Sequence, residues 1–292
     1  MDCPKCRTQS TSSEVCSACG VIFSKYEISK TLTIHRQRTQ QFESLSDDRP
    51  EPILELGAPV VIFALAALIV WIMPALAWSV SMWIHEFGHA FAAWFGGIAA
   101  TPFFGFTSYG AGQSWVVTIC FTVLLGLLGY LSWKNKSYFL VVTFAGMFVM
   151  QMYYRFVLTE GELSAMCSYM GIGGEFWIST FFIVAFHYTF PPKVHWQFLR
   201  YPLLLNAAIT YMNVFKLWVD VSHHRRDLPW GSMWGGDDVG DMNSLVNDWA
   251  WTQSEITSSY LRLGYFCLAV IVINYIVQVS RVLAKRPNGV AK

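Results

Sequence analysis

Long apolar runs alternate with short polar breaks along this chain. The longest extends from Gly57 to Gly97 and is interrupted by Pro74 and by a His-Glu-His cluster. One membrane-crossing helix needs about 20 residues, so this run exceeds a single span. Proline lacks a backbone donor and clashes with the preceding turn, which makes Pro74 the natural break. The pattern predicts one helix over 57–74 and a second helix, or a re-entrant segment, over 75–97. Further apolar helices are expected over 115–133, 137–158, 174–190, 200–219 and 259–282. Loops are expected over 98–114, 159–173, 191–199 and 220–258.

Composition agrees with lipid as the main solvent. Only 13% of the 292 residues are charged and 16% are aromatic, against about a quarter charged in ordinary soluble domains. A net charge of +1 gives no footprint for nucleic acid. Basic residues fall in three clusters: Lys134 and Lys136; Lys193 and Arg200; and Arg281, Lys285, Arg286 and Lys292. Cytoplasmic loops are enriched in such residues. The three clusters and the N-terminus share one side only if 57–97 makes an odd number of crossings. The expectation is therefore an all-α, polytopic membrane helix bundle of about six crossings with both termini in the cytoplasm. Arg225 and Arg226 are the exception to this scheme.

Residues 1–50 hold no apolar run, so the chain is expected to start as a soluble segment. Cys3-Pro4-Lys5-Cys6 and Cys16-Ser17-Ala18-Cys19-Gly20 form a CxxC…CxxC pair. Two thiolates three positions apart grip one side of a tetrahedral ion, and a second pair completes the shell. In a reducing compartment this pattern points to one structural Zn2+ rather than to disulfides. The segment resembles the zinc-ribbon-type knuckles at the head of many bacterial proteins. Three parts follow: a knuckle over 1–26 that would serve a cytosolic partner, a polar linker over 27–56, and a membrane-embedded domain over 57–285. Cys120, Cys167 and Cys267 are scattered among apolar residues and read as core or lipid-facing side chains.

The chemistry concentrates in His85-Glu86-Phe87-Gly88-His89. Histidines four apart project from one helix face and can share an ion, and Glu86 beside them suits a general base. Ionisable groups at membrane depth are costly, about 2.5–3.5 kcal/mol each on insertion scales, and mark function. Ile84–Ala90, followed by Trp94-Phe95-Gly96-Gly97, resembles the motif helix of the site-2 protease family, zinc metalloproteases that cut within the membrane. The resemblance implies His85 and His89 as ligands of a catalytic Zn2+, Glu86 as base, and a membrane-protein or peptide substrate. Gly88 would let a neighbouring helix or a substrate strand come close.

That family takes its third ligand from an Asp-Gly motif, which this chain lacks. Three local candidates stand in its place. Glu175 follows Gly171-Ile172-Gly173-Gly174, read as a flexible turn, and opens the next span; it is favoured. Asp241, in a Gly/Asp-rich loop that could fold over the site, is second. His187 is third. His223 and His224 read as a juxtamembrane turn, and Glu160 and Glu162 as loop residues facing water. The alternatives to a protease are a lipid-modifying enzyme or oxygenase, and a metal-binding membrane scaffold.

Overall fold

A computed structural model describes residues 2–3, 6–9, 14–22, 25, 52–190, 194, 196–232, 236 and 238–284. Most of the linker, and Lys193, Lys285, Arg286 and Lys292, lie outside the described residues. The chain divides into two compact units, Met1–Glu51 and Pro52–Lys292.

The larger unit is mostly helical. Its elements in chain order are α1 (Pro52–Ile72), α2 (Pro74–Phe95), β1 (Ile98–Phe103), β2 (Phe106–Gln113), α3 (Trp115–Lys134), α4 (Tyr138–Phe156), α5 (Glu160–Ala185), α6 (Trp196–Ser222), α7 (Asp241–Asn247) and α8 (Gln253–Ala284). The break at Pro74 is as expected, with Pro74 opening α2, where its missing N–H costs nothing. Residues 52–56, assigned to the linker, form the first turn of α1.

Four helices, α1, α3, α4 and α8, are long and apolar enough to cross a membrane. Only 6% of the most apolar window of α8 is buried inside the protein. Such a surface is untenable in water and ordinary in lipid, which marks a multi-pass membrane protein. Cys120 faces outward, whereas Cys167 and Cys267 are buried.

Two parts of the sequence reading are corrected. Residues 98–114 form an antiparallel hairpin rather than a loop, with Phe103 opposite Phe106 and Thr107 opposite Pro102. The turn between the strands is Phe104-Gly105, and Gly105 takes a φ of +84° that a side chain would resist. Residues 159–173 are helical, not a loop: α5 begins at Glu160, behind a capping box in which Thr159 and Glu162 satisfy each other's backbone N–H groups. The glycines read as a flexible turn therefore lie inside α5.

Their role is close approach. A methyl built on Gly174 would lie 2.3 Å from the Gly88 Cα, and one on Gly88 would lie 2.0 Å from the Met170 carbonyl oxygen. With no side chain at either position, α2 and α5 touch backbone to backbone. The face of α2 that buries Ala77, Ser81, Ile84, Gly88, Ala92 and Phe95 follows helical spacing. Behind α5, a core of Phe176, Leu204, Val214, Trp218, Tyr260 and Cys267 joins α5, α6 and α8, and Met242 and Leu245 of α7 are sunk into it.

Contacts also sort the helix ends. Glu55 pairs with Arg200, the Tyr275 hydroxyl donates to the Leu56 carbonyl, Tyr188 contacts Asn274, and Tyr188 stacks on Phe139. The start of α1 thus shares one end of the bundle with the starts of α4 and α6, with the segment that follows α5, and with the C-terminal third of α8. At the other end Gly96 abuts Leu163, Gly97 abuts Arg155, and Trp115 meets Phe156. Residues 55 and 97 therefore lie at opposite ends, although two helices connect them.

Candidate metal centre

His85 and His89 sit one turn apart on α2 and face α5. Their Nε2 atoms are 3.2 Å apart. Asp241, the first residue of α7, places Oδ2 3.0 Å from His85 Nε2 and 3.2 Å from His89 Nε2. Three potential ligand atoms thus converge on one point. Ligands on a tetrahedral zinc at about 2.0–2.1 Å stand about 3.3–3.4 Å apart, close to this triangle. Glu86 adds a fourth group: one ligand atom from each of His85, Glu86 and His89 lies within 4.8 Å of the others.

The opposite nitrogens fix the tautomers. His85 Nδ1 is 2.9 Å from Glu175 Oε1, and His89 Nδ1 is 2.7 Å from the Cys167 carbonyl oxygen. Both partners accept, so each Nδ1 carries the proton and each Nε2 presents a lone pair. Two lone pairs and a carboxylate oxygen within 3.2 Å would repel unless a proton or a metal cation lies among them. The donor set therefore fits a divalent ion, and both rings are held from behind as ligating histidines usually are.

The three third-ligand candidates separate clearly. Glu175 is against His85, but on the nitrogen that faces away from the convergence point. Asp241 reaches the convergence point itself. His187 lies past the C-terminal end of α5, beside Phe186 and Tyr275, about 18 Å along the helix direction from Glu175. His223 and His224 are exposed beyond α6.

Glu86 is 3% exposed. The Thr107 hydroxyl, on β2, lies 2.7 Å from its Oε2 and 3.0 Å from its main-chain oxygen. Nothing in the sequence pointed to Thr107, because the hairpin was not foreseen. The Cys167 carbonyl was equally invisible, since a backbone acceptor carries no residue signature. The depth of the site is modest. His89 lies seven residues before Gly96, about 10 Å along the helix from that end of the bundle, and Asp241 comes from the loop at the same end.

The smaller unit holds the second group. Cys3 Sγ is 3.6 Å from Cys19 Sγ, Cys6 Sγ is 3.7 Å from Cys16 Sγ, and all four sulfurs lie within 4.8 Å. A disulfide would need about 2.05 Å, whereas thiolates around one zinc at about 2.3 Å stand about 3.8 Å apart. The two halves repeat one turn: Arg7 N donates to Cys3 O and Gly20 N to Cys16 O, with φ of 60° at Arg7 and 67° at Gly20. Hydrogen bonds from Thr8 pull the Cys6 thiol down to about 6, toward the thiolate that a metal requires.

No family model, no curated protein and no solved structure matches the chain. The functional reading therefore rests on the residues themselves.

Proposed function

We propose that the chain is an intramembrane zinc metalloprotease whose ion is held by His85, His89 and Asp241, with Glu86 as general base. The convergence of His85 Nε2, His89 Nε2 and Asp241 Oδ2 carries this reading. Glu175, first choice from the sequence, takes a supporting role: it orients the His85 ring and raises its basicity. When bound there, a zinc ion would lower the pKa of water toward about 7 and polarise a carbonyl.

The residues divide the remaining work. Glu86 accepts a proton as the water oxygen attacks the scissile carbonyl carbon, and returns it to the amide nitrogen as the C–N bond breaks. One water is consumed, leaving a carboxylate and an amine. The bundle walls keep lipid from the site, and the loop end that delivers Asp241 admits water. The motif's resemblance to intramembrane proteases and the site's position among apolar helices favour a peptide within or beside the bilayer as substrate. The ordering of helix ends supports one net crossing by α1 and α2 together, hence six in all, with the Lys134–Lys136 turn, the knuckle and the C-terminus in the cytoplasm.

The test uses purified full-length protein in liposomes, a pooled library of single-span transmembrane peptides, and mass spectrometry of the products. Zinc-dependent cleavage abolished in Glu86→Gln, with zinc content retained, supports the reading. Iron without zinc, or cleavage undiminished in Glu86→Gln, overturns it.

A further inference from the structure

We infer that Thr107 is a positioning residue for Glu86, so that the β-hairpin is part of the catalytic apparatus rather than a connector. The inference rests on the hydrolase reading above.

The hydroxyl of Thr107 has one proton and two acceptors in reach, Oε2 of Glu86 at 2.7 Å and the Glu86 main-chain oxygen at 3.0 Å. The main-chain oxygen sits mid-helix, where the N–H four residues on serves it. The carboxylate has no such partner. Among the described residues, Thr107 is the side chain hydrogen-bonded to it. The shorter contact is also the charge-assisted and stronger one. It ties one carboxylate oxygen and leaves the other for the proton that Glu86 must take.

The hairpin is built to hold this contact. Phe104 at its tip packs on Trp83 at 5.7 Å and on Trp78 at 6.4 Å, anchoring the turn on α2 just before the motif. Phe103 and Phe106 stack at 4.9 Å and close the strand pair beside Thr107. Strand alternation then aims Thr107 at α2 and Ser108 away from it. Ser108 is exposed, which makes it the matched control.

Thr107→Val keeps the shape and removes the hydroxyl; Thr107→Ser keeps the hydroxyl. With the best-cleaved peptide of the library, we expect Thr107→Val to lower kcat by about 10- to 100-fold, as loss of an outer hydrogen-bond partner at a metal site typically does. KM and zinc content stay within twofold, Thr107→Ser recovers most of the rate, and Ser108→Ala is silent. A readout without turnover is the thermal midpoint of the zinc-loaded protein. Thr107→Val lowers it in the native background and leaves it unmoved in Glu86→Ala. Full kcat in Thr107→Val, or equal loss in Thr107→Ser, overturns the inference while leaving the hydrolase reading intact. Absence of any cleavage by the native protein would instead remove the reading on which it rests.

Discussion

Replacing Gly174 with alanine tests whether the backbone contact between α2 and α5 sets the metal geometry. The added methyl would lie 2.3 Å from the Gly88 Cα and 3.1 Å from the Gly88 nitrogen. Carbon atoms rest at about 3.5–4.0 Å, so the helices must part by about 1.2 Å or more. Neither obstacle is a flexible side chain, so nothing can swing aside. Overpacking of this kind costs about 1–3 kcal/mol. The site straddles the same contact, with His85 and His89 on α2 and their supports Glu175 and Cys167 on α5. If the strain falls on the site, zinc binding weakens about 5- to 150-fold, taking 1.4 kcal/mol per tenfold. The assay is zinc titration of the purified variant against a chelator, with thermal unfolding in parallel. Gly126→Ala is the control: a methyl there meets nothing within 4 Å, and Gly to Ala within a helix gains about 0.5–1 kcal/mol. Wild-type zinc affinity and an unchanged unfolding midpoint in Gly174→Ala would refute the reasoning.

Four further outcomes are expected. Asp241→Asn should lose the membrane-site zinc, whereas Glu175→Gln should retain it with affinity weakened about 10- to 100-fold; equal loss in both, read by metal analysis, would undo the distinction. Cys6→Ala should cut the zinc content from two ions to one per chain and expose residues 1–22 to protease, because so small a unit folds only around its ion. With the Cys6 thiol lowered from its ordinary 9.0 to about 6, its share of the knuckle's stability is full above about 9 and is lost as pH falls toward 6. Its zinc should therefore leave in mild acid, as a chelator-trapping titration would record. Single cysteines at 55 and 135, in a background lacking the native ones, should label from one side of the membrane, and one at 157 from the other; labelling of 55 and 135 from opposite sides would contradict the crossing order.

The sequence displayed more of the architecture than of the site. Apolar runs and Pro74 were enough to place six of the long helices, because lipid imposes a length and composition that single residues announce. The motif helix was legible for a similar reason: ionisable groups in an apolar run stand out. What failed was reading Gly171–Gly174 as a turn. Glycine in a loop means bending, but between packed helices it means approach, and only the partner Gly88 decides which. The capping signature Thr159-Glu160-Gly161-Glu162 was present and would have started α5 at the right place. Glu175 was singled out from the sequence as a ligand candidate; in the fold it meets His85 at Nδ1, opposite the nitrogen that faces Asp241. Only the fold reveals that the convergent side of His85 faces Asp241, which is 156 residues away along the chain. Thr107 was beyond sequence reasoning, since a lone hydroxyl acquires its role only once the hairpin folds back on α2.

Anomalous scattering at the zinc edge from crystals of the full-length protein would decide the matter most directly. An ion should appear about 2.0–2.2 Å from His85 Nε2, His89 Nε2 and an oxygen of Asp241, with Glu175 on the far side of the His85 ring. An ion bound through Glu175 with Asp241 turned away, or two imidazoles diverging with no ion between them, would contradict the assignment of this site.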